Sequence, residues 1–258
     1  MLRSRRLPLF PLIVARERLT RSERAREPEP MVMDEPVGVA EYDAAGEAVQ
    51  VPVHHFNALA ISRLLPEGGT LVDLGCGSGR LLARLARGRP DARLIGLDLS
   101  EPMLETGRRL LEREGVADRV DLRRGDITTF DTDLAERPDV VSSNFTLHQF
   151  PEEDLVHRCL AAIGRERRST GCGVYVFDLV RLRSAHTWPA MMASVRLPGE
   201  AFLHDSLASE RAAFTFEELT GLVERAGLGD LEHIRSRPLG EYQVHRAPGR
   251  GGGAPGAW

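Results

Sequence analysis

Residues Val72-Asp73-Leu74-Gly75-Cys76-Gly77-Ser78-Gly79 combine a carboxylate with three glycines at alternate positions. The apolar run Thr70-Leu71-Val72 leads into them, and Arg80-Leu81-Leu82-Ala83-Arg84-Leu85-Ala86 follows with helical periodicity. A buried strand that passes through glycines into a helix start brings backbone N–H groups close to a ligand. Nineteen residues after Gly79, the segment Leu94-Ile95-Gly96-Leu97-Asp98 reads as a second buried strand ending in a carboxylate, placed to accept from a ribose hydroxyl pair. Together the two segments predict a nucleoside-cofactor site.

The glycine spacing separates cofactors. A dinucleotide fingerprint, Gly-x-Gly-x-x-Gly/Ala, requires a small residue at position 80, where this chain has Arg80. Asp73 also suits a cationic or amine-bearing ligand better than a pyrophosphate, which it would repel. The stretch Val72 to Gly79 resembles the first motif of the class I S-adenosylmethionine-dependent methyltransferases, and Gly96-Leu97-Asp98-Leu99-Ser100 resembles their second. The resemblance covers about residues 66–246. It implies S-adenosyl-L-methionine as methyl donor and S-adenosyl-L-homocysteine as product. It also implies that Asp73, Gly75, Cys76, Gly77 and Gly79 lie near the methionine part and that Asp98 binds the ribose. By position, Asp126 would accept from the adenine amine while Ile127 packs on the ring. Leu99 and Met103 would cover the other face, with helix-core packing the alternative for Met103. Asn144 falls on the cofactor side.

His148 follows in the segment Ser143 to Phe150, which leaves the carboxyl end of a fourth strand, where open α/β sheets place their ligands. With an ordinary pKa of about 6.5, it can serve as a general base toward a hydroxyl, amine or acidic carbon. The alternative is a histidine packed structurally beneath the loop. Methyl transfer asks little else of side chains, because the sulfonium is already activated and alignment supplies most of the acceleration. No metal site is expected: His54 and His55 are adjacent on a helix and diverge by about 100°.

These residues need a scaffold, and a βα alternation supplies one. Strands are expected at 70–74, 93–98, 120–124, 139–143 and 173–178, with a closing antiparallel pair near 230–236 and 240–246. Helices are expected at 34–48, 52–65, 79–88, from Ser100-Glu101-Pro102 to about 114, at 152–165 and at 216–226. The fold class is α/β: a doubly wound, mostly parallel seven-stranded sheet with a C-terminal antiparallel hairpin, an N-terminal helical cap and a lid insertion. The expected organisation is a basic disordered arm at 1–30, a helical cap at 31–65, a catalytic domain at 66–246 and a flexible tail at 247–258. The arm's apolar stretch, Leu7 to Val14, contains two prolines and no small-residue cleavage pattern, which argues against a secretory signal.

Charge and composition narrow the partners. Residues 1–27 carry eight arginines against three glutamates, and the remainder has a net charge of −9. An acidic body disfavours nucleic acid, and no apolar run approaches the roughly 20 residues of a membrane span. All 34 basic residues are arginine, which excludes lysine Schiff-base chemistry and fits a GC-rich bacterial genome. Cys76, Cys159 and Cys172 are an odd set without metal-ligand spacing, consistent with reduced thiols in a cytoplasmic protein.

Acceptor choice falls to the added segments. Met31-Val32-Met33, Tyr42 and the 52–65 helix offer apolar and aromatic surface, and the long connection 181–214 holds His186, Trp188, His204, Asp205 and Arg211. The pattern predicts methyl transfer to a small or medium-sized molecule, a secondary metabolite being one class. A peptide or protein methyltransferase, a non-catalytic S-adenosylmethionine-binding protein and a nicotinamide oxidoreductase are the alternatives. The acceptor atom and the oligomeric state, a homodimer included, stay open.

Overall fold

The computed structural model describes residues 9–21, 23–29, 51–194 and 200–250. Seven strands form one sheet in the order β3-β2-β1-β4-β5-β7-β6. They are β1 (Thr70–Leu74), β2 (Arg93–Asp98), β3 (Val120–Arg124), β4 (Val140–Asn144), β5 (Gly173–Leu179), β6 (Glu232–Arg235) and β7 (Tyr242–Ala247). The first five pair in parallel, whereas β7 runs antiparallel to both β5 and β6. Every residue of β5 is buried, as a strand covered on both faces requires.

Helices α2 (Val51–Leu64), α3 (Arg80–Gly88) and α4 (Glu101–Glu114) bury one apolar cluster, which includes Ile61, Leu82, Leu104 and Leu111. The one-turn helix α5 (Phe130–Asp133) and helices α6 (Glu153–Thr170) and α9 (Phe216–Arg225) bury another, around Val156, Leu160, Ile163, Leu219 and Val223. Each fully buried Leu or Ile in these clusters contributes about 1.5–3 kcal/mol relative to exposure. Helix α4 starts as its sequence predicts, with the Ser100 side chain accepting from Met103 N–H and proline in the first turn. Thr215 and Glu218 form the capping box that opens α9.

The order of β1 and β4 positions the site. The chain winds from β1 outward to β3 and then returns to the other side of β1, so the carboxyl ends of β1 and β4 flank the reversal point. A crevice opens there in doubly wound sheets. Asp73 and Leu74 end β1, Asp98 ends β2, and Asn144 ends β4.

Two expectations about the chain's ends are corrected. The arm expected to be disordered contains helix α1 (Leu9–Leu19), packed on α7 (Thr187–Ser194). Ile13 is buried with Trp188 and Met192, and the buried Glu17 carboxylate accepts from Arg183 N–H at 2.7 Å, Ser184 N–H at 3.1 Å and Thr187 Oγ1 at 2.8 Å. Composition predicted disorder because the arm is basic, but its charged groups find partners in the 181–214 insertion. Glu17→Ala should therefore lower unfolding free energy by about 2 kcal/mol or more, read by urea denaturation, because three donors lose a charged acceptor. At the other end, β7 runs to Ala247 and Arg250 N–H donates to Gly171 O at 3.0 Å, so order persists beyond the expected boundary. The helix expected at 34–48, Met31-Val32-Met33 and Tyr42 lie outside the described residues.

Within the insertion 181–214, the described residues include the helices α7 and α8 (Glu200–Ala212). No helix among the described residues is long and apolar enough to cross a membrane.

Candidate functional site

The glycine loop turns sharply between β1 and α3. Gly75, Gly77 and Gly79 have φ of 73°, 53° and 67°, so the alternate glycines answer an alternation of left-handed backbone. Gly75 and Cys76 N–H both donate to Leu97 O, at 2.8 and 3.0 Å, and Gly79 N–H donates to Cys76 O at 2.9 Å. Gly77 N–H donates to Asp98 Oδ2 at 2.7 Å, while Asp98 Oδ1 accepts from Ser100 N–H at 2.9 Å. The Cys76 thiol is pushed well above its usual pKa, by burial first and then by Asp98 and Asp73. It is a packing group rather than a nucleophile.

Gly75, Asp98, Leu99 and Ile127 line one cavity with Thr146, Gln149 and Phe150. Asp126 is exposed near it and accepts from Thr128 N–H at 2.8 Å. Met103 is buried in the first turn of α4 and does not line this cavity. Beneath the loop, Asp73 is buried and accepts from Ser142 Oγ at 2.6 Å and Asn144 Nδ2 at 3.2 Å. Burial pushes Asp73 up to about 7 despite those two bonds. Asn144 Oδ1 is buried without a hydrogen-bond partner. A poorly compensated carboxyl beside an orphaned carbonyl oxygen suits a ligand bearing a positive charge and N–H donors. An aminoacyl sulfonium carries both, and S-adenosylmethionine therefore fits the residues present.

A second cavity adjoins the first across Phe145 and Thr146. Its wall carries His148 and Asp205 among apolar residues, notably Phe145, Trp188, Phe202 and Tyr242. Phe145 has φ of 55°, which is rare for an aromatic residue and costs about 1–3 kcal/mol. Its ring meets Phe177 edge-on at 5.0 Å and Tyr242 at 6.1 Å. His148 is buried on the short 3-10 turn Leu147–Gln149. Its Nδ1 lies 2.5 Å from Asp178 Oδ1, and its backbone N–H donates to Asp178 Oδ2 at 3.0 Å. The carboxylate therefore holds the proton on Nδ1 and leaves Nε2 as the acceptor. Burial pushes the imidazole pKa down, but Asp178, Glu29 and Asp205 outweigh it and leave the group above its usual value.

The other residues expected in the lid separate. Trp188 lines the second cavity and donates from Nε1 to Ser206 Oγ at 3.0 Å. His186 and His204 are exposed, whereas Asp205, next to His204, faces inward. Arg211 pairs instead with Glu27 of the N-terminal segment at 3.3 Å. His54 packs near Phe145, with its pKa lowered to about 4 by burial and then by Arg84 and Arg80, while His55 is exposed. No group of three or more potential metal ligands occurs among the described residues.

Sequence reasoning missed Asp178, although it ends the apolar run of β5 as Asp73 and Asp98 close theirs. That recurring pattern was the available signal. Glu29, 3.6 Å from His148 Nε2, had none, because nothing in Glu27-Pro28-Glu29-Pro30 points to a partner so distant in sequence.

Residues 71–171 match the family model of the methyltransferase domain. Over 90 residues the chain is 40% identical to carboxy-S-adenosyl-L-methionine synthase of Wolinella succinogenes, covering 34% of this chain and 35% of that one. The match thus spans about a third of that curated relative. Among solved structures, a putative O-methyltransferase from Nostoc punctiforme aligns with a TM-score of 0.62 at 18% identity, covering 91% of this chain and 67% of its own. An O-methyltransferase of neocarzinostatin biosynthesis, solved with S-adenosylmethionine and 2-hydroxy-5-methyl naphthoic acid, aligns with a TM-score of 0.54 at 18% identity, covering 83% of this chain and 58% of its own. The glycine loop, the sheet order and the matching family model together identify a methyltransferase domain at residues 71–171 of this chain.

Proposed function

We propose that the protein transfers the methyl group of S-adenosylmethionine to a hydroxyl of a small or medium-sized apolar molecule, with His148 as general base. The observation that carries this reading is the Asp178–His148 pair on the wall of an aromatic cavity next to the glycine-loop cavity. Asp73, Asn144 and the loop Gly75–Gly79 would hold the methionine part. Asp98 would take the ribose, and Leu99, Asp126 and Ile127 the adenine. When bound, the cofactor supplies a methyl carbon already activated by the sulfonium. The protein's own share is alignment, exclusion of water by the apolar wall, and removal of one proton. His148 Nε2 accepts that proton from the hydroxyl, and Asp178 stabilises the resulting imidazolium. The hydroxylated naphthoic acid held by the neocarzinostatin-pathway enzyme is a molecule of the class that such a wall would suit. A secondary-metabolite acceptor is therefore the preferred class. Three free cysteines are in keeping with a reducing, cytoplasmic setting in a bacterial cell.

The reading is tested by calorimetric binding of S-adenosylmethionine, followed by release of S-adenosylhomocysteine across a panel of hydroxylated aromatics. Binding of NAD without S-adenosylmethionine would overturn it. Release only with peptides would move the acceptor to that class. Deleting residues 1–30 would not discriminate a protein substrate, because α1 and residues 23–29 are part of the packed structure. Asp98→Ala should weaken cofactor binding by about tenfold or more, since it removes a charged acceptor. Unchanged affinity in a folded variant would refute the ribose assignment.

A further inference from the structure

Residues 23–29 form a strap across the insertion, fixed by two arginines. The Arg24 guanidinium reaches both oxygens of the buried Glu210, at 2.7 and 3.0 Å, and Leu182 O at 3.1 Å. Arg26 donates to His148 O at 2.9 Å, to Ala212 O at 2.6 Å and to Phe150 O, with its guanidinium carbon 4.2 Å from the centre of the Phe214 ring. Five backbone or ring groups outside the segment are thus tied to these seven residues. Such anchoring exceeds what a connecting segment needs. It also delivers one more charged group to the site: Glu29 Oε1 accepts from Ser209 Oγ at 3.1 Å and stands 3.6 Å from His148 Nε2.

That distance is too long for a hydrogen bond and short enough for a strong charge interaction. Asp178 occupies the other ring nitrogen at 2.5 Å, so the imidazole lies between two carboxylates far apart in the sequence. We propose that Glu29 is a positioning residue for His148, stabilising the imidazolium that forms on its Nε2 side when the acceptor's proton is removed. The proposal rests on the reading of His148 as the base. In the step, the acceptor O–H bond breaks and its proton goes to Nε2. The oxygen lone pair forms the new bond to the methyl carbon, and the carbon–sulfur electron pair returns to sulfur. The imidazolium then loses its proton to solvent.

The charged groups that face His148 are Asp178 at the end of β5, Glu29 on the strap, Asp205 on α8, and Arg26, which bonds its carbonyl oxygen. Asp205 lies next to His204 and is held, like Glu29, above the usual carboxylate range by burial. A nearby negative charge favours the protonated imidazole, so removing one lowers the histidine pKa. Glu29→Gln keeps an oxygen for Ser209 and removes the charge.

The test is an NMR titration of the eight histidines in the full chain, with the His148 resonance assigned by its loss in His148→Gln. Glu29→Gln should move the His148 midpoint down by about one pH unit, Glu29→Asp should recover most of that shift, and Glu23→Gln should leave it in place. The acid limb of kcat/KM against pH should move down by the same amount. An unmoved titration in folded Glu29→Gln overturns the proposal alone. A titration shift with an unmoved kinetic limb overturns the base assignment, and the proposal with it.

Discussion

His148→Gln is expected to lower kcat by about a hundred- to ten-thousand-fold at neutral pH while leaving S-adenosylmethionine affinity within about twofold of the parent. The separation follows from position. His148 lines the aromatic cavity, and Gly75, Asp98 and Ile127 line the neighbouring one. A glutamine amide can still donate toward Asp178, which also accepts from the His148 and Leu179 backbone N–H groups, so the buried carboxylate keeps partners. What is lost is a group that accepts a proton near neutral pH. The pH dependence carries the sign. The imidazole sits above its ordinary value because Asp178, Glu29 and Asp205 outweigh burial, so activity should fall as pH drops through that raised midpoint and the inactive imidazolium accumulates. In the variant that acid limb should vanish. An acceptor whose hydroxyl already ionises at the assay pH should restore most of the rate, because it needs no base. Full activity of His148→Gln toward a neutral alcohol would remove the base from the mechanism.

The cofactor half of the site was legible in the sequence because it is built from local chain. Strand, glycine turn and helix are consecutive in residues 70–88, and backbone conformation there depends on residue type: only glycine adopts three left-handed turns in five residues without strain. The apolar runs of β1, β2 and β5 likewise read as buried strands, and the capping signal at Ser100 was met. The acceptor half was less legible because it is assembled from distant pieces. Its wall draws on the turn after β4, on α7 and α8, on Tyr242 of β7 and, through Glu29, on the strap. The 181–214 connection offered no strong helix signal, and its helices rest on Trp188, Met192 and Phe202 packing inward. The basic N-terminus misled for a related reason. Net charge predicts disorder when charges stay solvated, but Arg24, Arg26 and Glu17 are each matched to a specific buried partner. Phe145 shows the limit most clearly. A phenylalanine at φ 55° follows from the tertiary clamp on the turn after β4, not from any preference of the residue.

Gly75→Ala should be the most damaging single change in the cofactor half. A Cβ there would lie 2.2 Å from Thr146 Cγ2, 2.5 Å from its Oγ1 and 2.9 Å from its Cβ, on a backbone with φ of 73°. The left-handed conformation alone costs a non-glycine residue about 1–2 kcal/mol, and overpacking adds about 1–3 kcal/mol. Thr146 has little freedom to yield, since its single O–H donor is surrounded by the carbonyl oxygens of Leu74, Gly75 and Asn144 at 3.1–3.3 Å. The loop must shift instead, and with it the turn that places Asn144 and His148. We therefore expect a fall of several degrees or more in Tm and a loss of measurable cofactor binding. Gly77→Ala is the matched comparison. Its φ of 53° imposes a similar backbone cost, but a Cβ there meets nothing within 4 Å. Stability should fall by only about 1–2 kcal/mol, so any larger loss of cofactor affinity reports a ligand that fills that space. Thr146→Ala in the Gly75→Ala background removes two of the three clashing atoms and should recover part of the stability, a coupling measurable as a double-mutant cycle. A Gly75→Ala protein with parental Tm and cofactor affinity would mean that the loop does not approach Thr146 as described, and the cavity built on that approach would have to be redrawn.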